Sequence, residues 1–191
     1  MTMALVKNTN CGFVTVAPSA DPDGTGDTID YRARALKCEA PPHSTKVTEI
    51  GWYCDNATEA ANYEVGIYDH NPSDNNPEAL IGKSSPTAKG TTAGWKKATG
   101  LNIAITPGQI YWIGLALGNT ETATEINVTN IVGEKYDKKD SVTELTDPWG
   151  VTVAFYVALA AIYAVYETSV PANVISHGNL YGEVPNGSLI N

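Results

Sequence analysis

This chain carries little charge, and least of the positive sign. Lys and Arg number 12 of 191 residues against 21 Asp and Glu, the charged share is 17%, and the formal net charge is -9. The few basic residues do not cluster. A protein that grips a phosphate backbone needs a basic surface, so nucleic acid is excluded as a partner. The Glu, Lys and Leu that build helical bundles are also scarce, while Gly (17) and Pro (11) are frequent. That balance favours one all-β domain, and the length suits one well-buried core rather than two.

Other absences narrow the chemistry. The N-terminus, MTMALVKNTNCGFVTV, has neither the basic start nor the apolar core of a secretion signal. Either export by that route does not apply, or a signal has been removed; a virion protein needs none. The uncharged run Gly150–Tyr166 is only 17 residues and contains three Tyr. It is too short and too polar for a comfortable membrane span and reads instead as core strands. The three cysteines, Cys11, Cys38 and Cys54, show no C-x-x-C spacing, so no zinc site is indicated. Cys38 and Cys54 each end an expected strand and can face each other in a disulfide; the alternative is buried free thiols. No G-x-S-x-G, H-E-x-x-H or phosphate-cradling Gly loop occurs, and His43, His70 and His177 are scattered. The expectation is therefore a protein that is not an enzyme.

What is present is strand pattern. Residues 27–38, DTIDYRARALKC, alternate with Ile29, Tyr31, Ala33 and Ala35 on one face. Lys46–Cys54 and Tyr63–Tyr68 follow, the first placing Trp52 and Tyr53 on opposite faces. Leu80–Lys83, Trp95–Ala98 and Leu101–Ile105 come next. Thr106-Pro107-Gly108 suits a tight turn, and Ile110–Leu117 is apolar enough for a central strand. Glu125–Val132 is another strand. Residues 136–146 read as a charged connection. Residues 151–167 fit strand and helix periods alike; their β-branched and aromatic content selects strand, with a break near Ala160.

The ordered motifs VTEIGWY, YEVGIYD, ALIG, AGW, LNIAITPGQIYWIGLAL and DPWG, with a last strand ending YAVYE, cover residues 28–167. In that order they resemble a jelly-roll β-sandwich module found in bacterial extracellular proteins, where it often accompanies carbohydrate-binding modules, and in phage structural proteins. The resemblance implies an antiparallel β-sandwich of jelly-roll type and a binding role, and it brings no catalytic residues. It divides the chain into an N-terminal segment 1–27 with an acidic loop, the sandwich 28–167, and an extended tail 168–191.

Two constellations can carry function. In DPDGTGD, Asp21, Asp23 and Asp27 surround two glycines, a spacing that can supply oxygen ligands to calcium; the alternative is a plain exposed turn. The loop holding Asp69, Asp74, Asn76 and Glu78 is a poorer version of the same pattern. Trp149, in DPWG, is the tryptophan best placed to expose its ring. With Tyr136 and Asp137 or Asp140 it would make a sugar platform, since a sugar's C–H face stacks on aromatics while its hydroxyls pair with carboxylates. Otherwise Trp149 caps the core. The expected function is a non-catalytic module that binds carbohydrate or a protein surface, outside the cell or on a virion. The alternative is a virion or other assembly protein, such as a decoration or fibre domain. The tail keeps apolar residues such as Val174, Ile175, Leu180 and Ile190, so it is expected to pack on the domain or on a neighbouring copy, giving a homo-oligomer.

Overall fold

The computed structural model describes residues 2–56, 59–118 and 124–169. The expectations for the tail from residue 170 onward therefore lie outside the described residues. In chain order the strands are β1 (Gly12–Val14), β2 (Thr25–Thr28), β3 (Arg32–Glu39), β4 (Ser44–Asp55), β5 (Asn62–Asn71), β6 (Asn76–Lys83), β7 (Thr87–Ala88), β8 (Gly94–Ala104), β9 (Ile110–Leu117), β10 (Glu125–Asn130), β11 (Tyr136–Asp140), β12 (Ala154–Tyr156), β13 (Ala158–Ala160) and β14 (Ile162–Thr168). They form two seven-stranded sheets packed as a sandwich. The first holds β1, β2, β4, β8, β10, β13 and β14; the second runs β12-β11-β3-β9-β5-β6, with β7 on β5. Pairing between these strands is antiparallel except for β1, which runs parallel to β14. No helix among the described residues is long and apolar enough to cross a membrane.

Period-2 alternation sets which side chains meet between the sheets. Along β9, Tyr111, Ile113, Leu115 and Leu117 enter the main core; β5 adds Tyr63, Val65 and Ile67, and β4 adds Val47, Ile50 and Trp52. Trp52 meets Tyr63 edge to face at 5.6 Å. Each such aliphatic side chain contributes roughly 1.5–3 kcal/mol by leaving water. Segment 1–27 is built into this sandwich: β1 pairs with β14, and Leu5, Cys11 and Phe13 lie in the main core.

The outer faces are covered too. On the second sheet, Ala33, Ala35, Gly66, Gly114 and Ala116 leave a shallow trough, into which Leu145 and Trp149 pack beside Tyr68 and Trp112. A Cβ added at Gly114 would stand 2.9 Å from the Tyr68 ring, so the fit depends on its absence. On the first sheet, Tyr53 and Trp52 do alternate, yet both are buried, because Trp95 covers Tyr53 at 5.5 Å and donates its indole N–H to the Ala20 carbonyl.

Three local expectations are corrected. Residues 27–38 are two strands, broken at Tyr31, whose φ of 52° is a turn conformation. The two strands expected around Gly100 are one continuous strand, β8. The charged connection at 136–146 contains a strand, β11, paired with β3 over five residues. Its two Asp side chains are paired, Asp140 with Arg32 at 3.0 Å and Asp137 with Lys135 at 3.6 Å. Of the two readings of the cysteines, free thiols is the one that holds: Cys38 and Cys54 belong to opposite sheets, and all three cysteines are free and buried.

Candidate functional site

A concavity lies along one edge of the sandwich, where β2 and β10 of the first sheet face β11 and β12 of the second. Its volume is about 610 Å³, and its walls include Asp23, Asp27, Thr129, Asn130, Tyr136 and Tyr156. The size suits a small organic ligand. Strand β2 reaches the wall because Gly24 lets it approach β10; a Cβ there would sit 2.8 Å from the Val128 carbonyl.

Beneath the cavity sits a buried charge. Arg34 is 1% exposed and shares the inward face of β3 with Leu36 and Cys38. Its Nε donates to Asp27 Oδ2 at 2.7 Å and its Nη2 to Asp27 Oδ1 at 3.3 Å. Two further N–H groups reach the Thr28 carbonyl and, at 3.2 Å, the Ala33 carbonyl. Four of the five guanidinium N–H groups are thus engaged, and the charge is paired, as a buried charge must be. Burial works against its charge, but the Tyr136 hydroxyl and Asp27 outweigh burial and hold its proton more tightly than usual. The Tyr136 hydroxyl donates to Asp27 Oδ2 at 3.2 Å. Burial pushes the Tyr136 phenol well above its ordinary range, so it remains a donor at any physiological pH.

Above this floor stands Tyr156, 42% exposed, with its ring centroid 6.3 Å from that of Tyr136 and tilted by 41°. Asp23 is exposed at the rim, where its Oδ1 accepts the Gly24 N–H at 3.0 Å. Asp23 and Asp27 are the charged residues of the described lining. The cavity therefore offers an aromatic wall, hydroxyl and amide groups, and carboxylate acceptors, with the cation beneath already committed.

The structure redistributes the residues singled out from sequence. Tyr136 joins Asp23 and Asp27 at this cavity. Trp149 does not: it is 1% exposed, packs edge to face on Tyr68 at 5.1 Å, and lies in the trough on the outer face of the second sheet. A stacking platform built on an exposed Trp149 is thereby corrected to a core cap. Its backbone carbonyl accepts Lys139 Nζ at 2.5 Å, which ties residue 149 down onto β11. Asp137 is fully buried on that outer side, accepting from Thr152 Oγ1 at 3.2 Å. Burial raises its pKa against the opposing pull of Lys135 and Thr152. Asp140 is held by Arg32 and, at 3.5 Å, by Lys138. The four do not converge on one ligand.

Nor do the aspartates of the acidic loop gather round a cation. Asp27 is turned onto Arg34, and among the described residues no group of three or more Asp, Glu, His or Cys is close enough to hold a metal ion. In the second acidic loop, Asp69 and Asn71 accept backbone N–H groups of their own turn.

Two residues of the site escaped the sequence reading. Arg34 could have been found from its parity with Leu36 and Cys38, which puts a cation on a core face. Tyr156 had a weaker signal: an aromatic pair inside an otherwise small and aliphatic strand.

No protein-family model, no curated protein and no solved structure matches the chain.

Proposed function

We propose that this protein is a non-catalytic binding module that holds a neutral carbohydrate in the cavity between β2, β10, β11 and β12. The observation that supports the reading is the meeting of Tyr136, Asp27 and Asp23 with the half-exposed ring of Tyr156 on one cavity. A sugar's C–H face would stack on Tyr156, and its hydroxyls would donate to Asp23, Asn130 and Thr129. Because the lining carries carboxylates and the cation beneath it is already paired with Asp27, uronic and sialic acids would be disfavoured. The test is a glycan array followed by calorimetry on the full chain. Binding to neutral glycans, weakened tenfold or more in Tyr156→Ala and Asp23→Asn, is expected. Silence across the array, or binding that ignores both substitutions, would remove the reading.

A second reading is an assembly role, as a decoration or fibre domain of a virion. It is favoured by the exposed apolar strand around Phe155, which an isolated binding module does not need. Either role is exercised outside the cell or on a virion surface. Neighbouring genes encoding capsid or tail proteins would favour this second reading.

A further inference from the structure

The strand β12 is an edge. It pairs with β11 on one side, and on the other it meets no described strand. The residues around it are apolar and open to solvent: Val151 is 83% exposed, Val153 59%, Phe155 62%, Tyr156 42% and Val157 47%. Natural sheets blunt such edges with Lys, Pro, a bulge or a covering loop, because an open apolar edge recruits another strand. The strand is short, three residues, yet residues 149–166 contain no Asp, Glu, Lys, Arg or Pro. The edge is also held firmly. Lys135 Nζ sits 4.9 Å from the Phe155 ring and is itself fixed by the Asn76 side chain at 2.9 Å and the Asn75 carbonyl at 2.5 Å.

We infer that β12 is the self-association edge of this protein: two copies pair their β12 strands antiparallel about a two-fold axis and continue the second sheet across the joint. Three observations select a second copy as the occupant. A chain of net charge -9 repels itself over most of its surface, whereas this edge brings two copies together with no carboxylate of the strand facing another. An antiparallel pair about a two-fold axis is isologous, so the row Val151, Val153, Phe155 and Val157, spaced at every second residue, packs against its own like. The exposed parts of the four side chains of that row amount to roughly 400 Å² per copy, so the pair would bury at most about 800 Å² before the ladder hydrogen bonds are added, the size of a weak, concentration-dependent interface.

The test is sedimentation equilibrium of the full chain across micromolar to sub-millimolar concentration, with Val153→Lys and Phe155→Lys beside it. The expected result is a mass twice the 20.3 kDa of the chain, and weakening of the dimer by a hundredfold or more in both variants. Circular dichroism and thermal unfolding establish that the variants are folded, and Phe155→Thr provides an apolar-to-polar change that keeps strand preference. Cysteine placed singly at positions 153 to 157 should yield a cross-linked dimer at one or more of them on mild oxidation. The native thiols, all buried, should not. A monomer at every concentration overturns the inference. So does a mass above twice the chain, or a dimer indifferent to both lysines but abolished by deleting residues 170–191, which would assign self-association to the tail.

Discussion

Removing Asp27 should destabilise this protein out of proportion to its partly solvated position. Arg34 is 1% exposed, and Asp27 is its only carboxylate within salt-bridge distance among the described residues. In Asp27→Ala the guanidinium keeps the Thr28 and Ala33 carbonyls but loses its counter-charge, and the Tyr136 hydroxyl loses its acceptor. Breaking one side of a buried ion pair costs about 3–5 kcal/mol. The Asp27 side chain is 21% exposed, so water can partly replace it, and the lower end of about 3 kcal/mol applies. For a chain of this size that is a fall in Tm of roughly 6–12 °C. The assay is urea unfolding followed by tryptophan fluorescence, with the combined variant Asp27→Leu and Arg34→Met as control. With both charges gone, no unpaired ion remains, and the double variant should lie within about 1 kcal/mol of the parent. A loss below about 1 kcal/mol in Asp27→Ala would refute the reasoning, because that is the worth of an exposed pair. It would mean that water reaches Arg34 freely.

Trp149→Ala should cost about 3–5 kcal/mol in urea unfolding, since it empties the trough beside Tyr68, while leaving ligand binding at the cavity unchanged. Burial, followed by Lys37, lowers the pKa of His70 below its usual 6.5, and Trp112 Nε1 donates to its Nδ1 at 3.2 Å, which requires that nitrogen to be bare. The unfolded chain takes up the proton first, so stability present above pH 6.5 is lost as pH falls through the lowered value. NMR titration should show the imidazole and the Trp112 indole N–H shifting together, with a midpoint below 6.5; a midpoint at or above 6.5 counts against the arrangement. Burial raises the thiol of Cys11 to about 12 and that of Cys54 to about 11, and raises that of Cys38 as well. A chromogenic disulfide reagent should therefore find no fast thiol in the native protein and three after denaturation.

Alternation located β4 and β5 from sequence and a near-continuous apolar run located β9, because a strand buried on one face repeats its apolar side chains at every second residue while one buried on both faces is apolar throughout. Composition alone pointed to an all-β domain and against a nucleic-acid partner. It could not show that β11 is a strand, since YDKKD has one apolar residue and its Asp140 is paired with a residue distant in sequence, Arg32. Likewise Trp149 looked exposed because its neighbours are polar; the trough that buries it is made of Ala and Gly on β3, β5 and β9, far away in sequence. The candidate cavity shows the same division. The residue types for binding a sugar were visible in the acidic loop and at Tyr136, but they read as two unrelated sites. Asp27 and Tyr136 are 109 positions apart and share a hydrogen bond only because β2 and β11 belong to opposite sheets that meet along the same edge of the sandwich. Local alternation specifies which way a side chain points. Which other side chain it meets depends on how the sheets stack, and that is decided by the packing of the whole core.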